Sequence, residues 1–144
     1  MYQIKFAQSE KEIGDCWEVV HLLRPHLDNK EAYIRQVKEM KEDGYHMLYI
    51  AGAGSSCDAA AFAGYRNLHS LHGGRYIYID DLCTLPAYRG KGYAGALLDY
   101  IQQLARETNK TGVVLDSGFQ LNDAHRLYLN KGYKLSAHHF SLRF

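Results

Sequence analysis

Two cations and three glycines stand within seven residues of this chain, Arg89-Gly90-Lys91-Gly92-Tyr93-Ala94-Gly95. Glycine lets a backbone approach a ligand closely, and the first N–H groups of a helix carry unpaired partial positive charge. Flanked by a guanidinium and an ammonium, such a loop forms an anion site, and a pyrophosphate is its best fit. A merely solvated basic turn would need no glycines between its charges. Just upstream lie Asp80 and Asp81, which could take a proton from a substrate, with Tyr76 and Tyr78 beside them. Downstream, Asp116, His125 and Tyr128 supply a carboxylate, an imidazole and a phenol.

The surrounding pattern shows which elements must position these groups. Tyr93, Leu97, Leu98, Ile101, Leu104 and Ala105 recur near a period of 3.6, so the glycine loop opens an amphipathic helix. Arg75 to Leu85 reads as a long strand entered from the Gly73-Gly74 turn. In a regular strand Tyr76, Tyr78 and Asp80 face opposite to Ile77, Ile79 and Asp81, so only one of the two carboxylates would look into a cleft. A bulge, frequent beside active sites, would change that choice.

Earlier in the chain, Tyr2 to Ala7 alternates like a short strand. Ser9 and Glu12 form a capping box for a helix striped by Ile13, Cys16, Trp17 and Val20 and ended by Pro25. Asp28 and Glu31 repeat the box before Tyr33, Val37 and Met40, with Gly44 as the stop. His46–Ala51 and Ala59–Arg66 read as strands joined by a Gly/Ser-rich turn, Gly52 to Asp58. Later, Val113 to Asp116 reads as a strand of the buried kind, and Asn122 as the cap of a helix carrying Ala124, Leu127 and Tyr128 up to Gly132. Tyr133 to Phe144 reads as a closing strand whose edge could pair two copies into a homodimer. Hairpins first and a strand–helix–strand crossover after them make a mixed α/β sheet.

Composition narrows the function classes. The 144 residues fit one compact domain spanning 1–144, and their 47% hydrophobic and 23% charged content is that of a soluble globular protein. A formal net charge of +1 argues against nucleic acid as a partner. There is no apolar run of ~20 residues for a membrane span, and the opening residues form no signal-peptide core. Cys16, Cys57 and Cys83 are odd in number and widely spaced, which speaks for a reducing cytoplasm over a disulfide framework. The eight histidines show no metal-ligand spacing, and no metal is expected.

Leu85-Pro86-Ala87-Tyr88-Arg89-Gly90-Lys91-Gly92-Tyr93-Ala94 resembles the acyl-CoA signature of the GNAT acetyltransferase superfamily, with Arg89, Gly92 and Ala94 in its three named places. Asn122-Asp123-Ala124-His125-Arg126-Leu127-Tyr128 followed by Lys131-Gly132-Tyr133 is similar to the family's later motif. The run Leu115-Asp116-Ser117-Gly118 together with Ala124-His125-Arg126 resembles a bacterial branch whose substrate is unassigned. The resemblance implies a mostly antiparallel central sheet flanked by helices, acetyl-CoA as co-substrate, and a primary amine (a small molecule or a peptide N-terminus) as acceptor.

By the same resemblance, the backbone of Leu82, Cys83 and Thr84 would pair with the pantetheine arm, and an N–H there would serve the oxyanion. Arg89, Gly90, Lys91, Gly92, Tyr93, Ala94 and Gly95 would hold the pyrophosphate. Tyr128 would protonate the departing sulfur, and Asn122 would either bond the pantetheine or cap its helix. For the base, Asp81 acting through a water comes first and Asp80 second. Tyr78, Asp116 and His125 are acceptor-site candidates, in a carboxylate- and tyrosine-rich cleft that would favour a cationic amine. Direct attack is expected, because no activated nucleophile is visible.

Two rival readings have features of their own. Gly90-x-Gly92-x-x-Gly95, with Asp116 a suitable distance downstream, also fits a dinucleotide fingerprint. Pro86 to Arg89 separates those glycines from the strand, however, and little chain follows Asp116. A CoA-binding regulatory module without catalysis is the other rival; it would require neither Tyr128 nor a carboxylate by the thioester.

Overall fold

The computed structural model describes residues 2–53 and 58–144. It forms two compact units, Met1–Val114 and Leu115–Phe144. Five strands, β1 (Ile4–Phe6), β2 (Tyr45–Ala51), β3 (Ala59–Ser70), β4 (Gly74–Thr84) and β5 (Val113–Leu115), lie in the sheet in chain order. β1 to β4 are joined antiparallel. Most of the Gly/Ser turn, residues 54–57, lies outside the described residues.

Four helices belong to the first unit: α1 (Glu10–Asp15), α2 (Trp17–Leu23), α3 (Lys30–Glu42) and α4 (Tyr93–Glu107). The Ser9–Glu12 capping box starts α1 as expected, each side chain bonding the other's backbone N–H at 3.1 Å. The expected single helix after it is divided at Cys16, whose N–H reaches back to Ile13 rather than Glu12. The second cap is Asn29, not Asp28: its side chain accepts the Ala32 N–H at 2.8 Å. Gly44 follows α3 at φ +95°, in the left-handed region that suits glycine beyond a helix end.

Both faces of the sheet are covered. Tyr45, Met47 and Tyr49 of β2 pack with Ile13, Cys16, Val20, Tyr33 and Val37 of α1 to α3. The buried Tyr33 hydroxyl ties α3 to α1 by donating to the Ile13 carbonyl at 2.7 Å. On the opposite face, Phe6 pairs with Leu48 and meets Tyr100 of α4 edge-on at 6.2 Å. α4 packs across β2, β3 and β4, burying Leu97, Leu98, Ile101 and Ala105. The 3.6-residue stripe found its sheet.

Two expectations about the later chain are corrected. β5 is not buried on both sides, since Val114 is 45% exposed. Residues 133–144 form no strand, and Leu135, Phe140, Leu142 and Phe144 lie exposed. Apolar alternation marks a segment able to pair, but a ladder needs a neighbouring strand with free backbone groups.

The second unit contains α5 (Asn122–Asn130). Leu121 precedes it without a side-chain cap, so Asn122 is the first helical residue and not the cap. Its far end is a Schellman motif: Tyr133 N–H donates to the Tyr128 carbonyl at 3.0 Å, and Gly132 N–H to the Leu129 carbonyl at 3.1 Å. Gly132 takes φ +93° to allow it.

Candidate active site

The glycine loop hangs between β4 and α4. After Thr84 the chain makes one tight turn, Pro86–Tyr88, and Gly90 and Gly92 then adopt φ +78° and +81°. Gly92 is the residue from which α4 departs. A β-carbon on Gly90 or Gly92 would meet no atom of the described residues within 4 Å. The first internal bond of α4 runs from Ala96 N–H to the Gly92 carbonyl at 2.9 Å. Among the described residues, the N–H groups of Gly90 to Gly95 find no acceptor. Six adjacent donors without an acceptor among the described residues are the kind of cradle that an anion needs.

Aromatic rings line the same loop. Lys91 Nζ lies 5.3 Å over the Tyr88 ring, Tyr88 stacks on Tyr93 at 6.2 Å, and Tyr2 meets Tyr93 edge-on at 5.4 Å. The Lys91–Tyr88 contact holds an ammonium beside the cradle at little entropic cost.

Upstream of the loop, β4 departs from regular alternation. Gly64 of β3 pairs with Asp81 while Tyr65 pairs with Ile79, so Asp80 is an extra residue in a bulge. The expectation that Asp80 and Asp81 point to opposite faces is thereby overturned. Both carboxylates turn toward residues on the α1–α3 side of the sheet. Asp80 is clamped by Arg66, with Nε–Oδ2 at 2.8 Å and Nη2–Oδ1 at 2.7 Å. Arg66 in turn lies 5.5 Å over the ring of Tyr78, its β4 partner.

Asp81 is held from two other elements. Arg24, the residue ending α2, donates from Nε at 3.1 Å and Nη2 at 2.8 Å to Oδ1. The buried Tyr45 hydroxyl donates to Oδ2 at 2.7 Å. Burial, and then the Asp81 charge, push the Tyr45 phenol well above its ordinary pKa, so it remains a donor. Gly64 makes this bond possible: a β-carbon there would stand 1.8 Å from the Tyr45 hydroxyl oxygen. With two guanidiniums on two carboxylates, the cluster is electrically balanced. The premise of a carboxylate-rich cleft selecting a cation therefore does not hold.

Beyond the bulge, Leu82, Cys83 and Thr84 pair with Ala63, Phe62 and Ala61 on one side. On the other, β5 meets β4 early: Thr111 N–H donates to the Arg75 carbonyl at 2.7 Å and Ile77 N–H to the Gly112 carbonyl at 3.1 Å. Three residues of β5 advance about 10 Å, short of Leu82 to Thr84, so β4 outlasts its neighbour. Thr84 Oγ1 is buried and, among the described residues, has no hydrogen-bond partner. Burial raises the Cys83 thiol pKa, which fits a packing residue and not a nucleophile.

The remaining expected residues belong to the second unit. Tyr128 is held by the Schellman motif, its ring 6.0 Å from that of Tyr133. Burial first, and Tyr133 second, raise its pKa, so it is a protonated phenol at neutral pH. Asp116 lies 3.1 Å from Nδ1 of His139. His125 sits in the first turns of α5, its N–H bonded to the Leu121 carbonyl at 3.0 Å. Among the described residues no group of metal-ligating side chains converges.

Residues 10–133 match the model of the Acetyltransferase (GNAT) family. The chain belongs to that family. It is 31% identical to N-acetyltransferase YhdJ of Bacillus subtilis over 141 residues, covering 97% of both chains. Over 72 residues it is 35% identical to aminoalkylphosphonate N-acetyltransferase of Salmonella typhimurium, covering 49% of this chain and 47% of that one. Its fold is similar to that of AAC(6')-Iy in complex with a CoA bisubstrate analog, with a TM-score of 0.81 and 15% identity over 100% of this chain and 98% of the other. This GNAT protein is an acyl-CoA-dependent N-acetyltransferase. The dinucleotide reading falls with that assignment.

The geometry of this acetyltransferase suits coenzyme A. A diphosphate needs clustered N–H donors with room for its oxygens, which the Gly90–Gly95 cradle provides. A pantetheine arm needs strand-like backbone groups, and the free length of β4 offers them beside the unpartnered Thr84 hydroxyl. Sequence reasoning missed Arg24, Tyr45, Gly64 and Arg66. Arg24 and Asp81 lie 57 positions apart, with no motif linking them; a lone arginine between an apolar helix and Pro25 was the only signal available.

Proposed function

We propose that this protein transfers the acetyl group of acetyl-CoA directly to a primary amine carried by a small molecule or a peptide N-terminus. The observation that carries this reading is the run of unpartnered N–H groups from Gly90 to Gly95, with open space above Gly90 and Gly92. Bound acetyl-CoA would supply an activated thioester carbonyl. Arg89, Lys91 and the Gly90–Gly95 amides would hold its diphosphate; Leu82, Cys83 and Thr84 would align its pantetheine. An amide of that edge would donate to the carbonyl oxygen as negative charge develops there. Asn122 remains a candidate contact to the pantetheine, through its side chain at the start of α5.

In the transfer, an amine lone pair forms the N–C bond as the C–S bond breaks. Tyr128 donates its proton to the departing sulfur and is reprotonated from solvent. The amine's proton passes through water to a carboxylate. Asp80 now precedes Asp81 in that role, because its side chain is 22% exposed against 13%. Tyr78, Asp116 and His125 stay as acceptor-site candidates. The family match spans most of the chain, which supports reading residues 1–144 as one acetyltransferase domain.

The acceptors to try first are those after which relatives and structural neighbours are named: an aminoalkylphosphonate, glucosamine 6-phosphate and a ribosomal-protein alanine. The experiment supplies acetyl-CoA with aminoethylphosphonate, glucosamine 6-phosphate, an alanyl peptide and a polyamine, and follows N-acetylated product by mass spectrometry. Product from at least one amine, with stoichiometric thiol, is expected. CoA binding with no product from any amine would leave the regulatory-module reading in its place.

A further inference from the structure

We infer that Arg24 is a positioning residue for acetyl transfer: by holding the β4 bulge it sets the direction of the backbone leading into Leu82 to Thr84. This rests on the reading of that edge as the thioester site.

A bulge adds one residue and leaves local ladder groups without their regular partners. At Asp80 the missing partner is supplied from outside the sheet, where Arg24 Nη2 donates to the Asp80 carbonyl at 2.9 Å. The same nitrogen, with Nε, also holds Asp81 Oδ1. A single guanidinium thus grips the backbone of one bulge residue and the side chain of the next. The peptide between them is trans, so its carbonyl and its N–H point in opposite senses. Fixing the Asp80 carbonyl therefore fixes the Asp81 N–H, one residue before the proposed thioester edge.

The grip is itself anchored. Arg24 N–H donates to the Val20 carbonyl at 2.8 Å at the end of α2, and Pro25 stops the helix there. From β2, Tyr45 holds the second oxygen of Asp81, reaching it across the bare backbone of Gly64. Three elements far apart in sequence converge on two residues of β4. A stabilising surface ion pair would need none of this, because a carboxylate alone would satisfy it. Nη2 bonds both the Asp80 carbonyl and Asp81 Oδ1 while Nε adds a second bond to Oδ1; an ammonium has no second nitrogen, so it loses this planar two-nitrogen hold on Asp81.

The test compares Arg24→Lys and Arg24→Gln with wild type, using acetyl-CoA and whichever amine of the panel is acetylated. Arg24→Lys keeps the charge, so urea unfolding should show a folded protein. Its kcat should nevertheless fall by about tenfold or more, with KM for acetyl-CoA within about threefold of wild type. Arg24→Gln removes the charge as well as the fork, and its kcat should fall at least as far. Exchange of the Asp81 amide hydrogen should quicken in both variants.

A kcat for Arg24→Lys within about twofold of wild type would overturn the inference, as would a loss explained by the unfolded fraction alone. If Arg24→Gln fails to fold, the lysine variant decides. If wild type acetylates no amine, the enzymatic reading fails separately, and Asp81 exchange unchanged in Arg24→Lys would then sink the brace as well.

Discussion

Gly64→Ala tests the packing logic of the bulge. A methyl group at Gly64 would lie 1.8 Å from the Tyr45 hydroxyl oxygen and 2.4 Å from Cζ. Tyr45 is 3% exposed, so its ring cannot swing into solvent to relieve the contact. Overpacking a filled interior costs ~1–3 kcal/mol. Pulling the hydroxyl off Asp81 Oδ2 costs about another 1–3 kcal/mol, because it strips a donor from a carboxylate only 13% exposed. The sum, ~2–6 kcal/mol, is a large share of the ~5–15 kcal/mol that holds a domain together. At ~3 °C per kcal/mol for a chain of this size, the melting midpoint should fall by about 6–18 °C. Urea unfolding of Gly64→Ala, Tyr45→Ala and the double variant measures the coupling. Once Tyr45 is gone the methyl has room, so the double variant should be more stable than additivity allows by ~1 kcal/mol or more. A Gly64→Ala protein within ~0.5 kcal/mol of wild type, or strictly additive changes, would refute the account.

Gly92→Ala should cost about 1 kcal/mol through its left-handed φ and yet weaken CoA binding by about tenfold in calorimetry, because the space its methyl fills is space a diphosphate would need. Tyr128→Phe should lower kcat by about a hundredfold with KM for acetyl-CoA little changed; an unchanged kcat would remove the acid role. Ser9→Ala should destabilise by about 1 kcal/mol in urea unfolding, through loss of the α1 cap. The backbone N–H of Ser9 is the main cause holding the Glu12 pKa below its usual 4.5. That contribution to stability is complete above the unfolded pKa and fades as pH falls through the folded one. Glu12→Gln should therefore flatten the acid side of the stability–pH curve, which thermal melts between pH 3 and 6 would check.

Much of the site was legible because it is local. The spacing of Arg89, Gly90, Lys91 and Gly92 before the Tyr93–Ala105 stripe encodes a turn, a helix start and its donors within a few residues. The Ser9–Glu12 box and the Gly44 and Gly132 stops were legible for the same reason. The division at Cys16 and the cap at Asn29 were missed because neighbouring residues of similar propensity compete for each role, and tertiary packing decides between them. The closing strand was misread because alternation records what a segment could pair with and not whether a partner stands beside it.

By itself, the order of residues determined most of the strands and helices but neither the division at Cys16 nor the end of the chain, and it determined the amide cradle at the head of α4 and membership of the GNAT family, since each depends on contacts or patterns close along the chain. Only the tertiary structure decided what surrounds the two aspartates. One extra residue in β4 turned both to the same side, and Arg24, Tyr45 and Arg66 reached them from other elements. A bulge is a property of register between two strands, and register exists only after they have met.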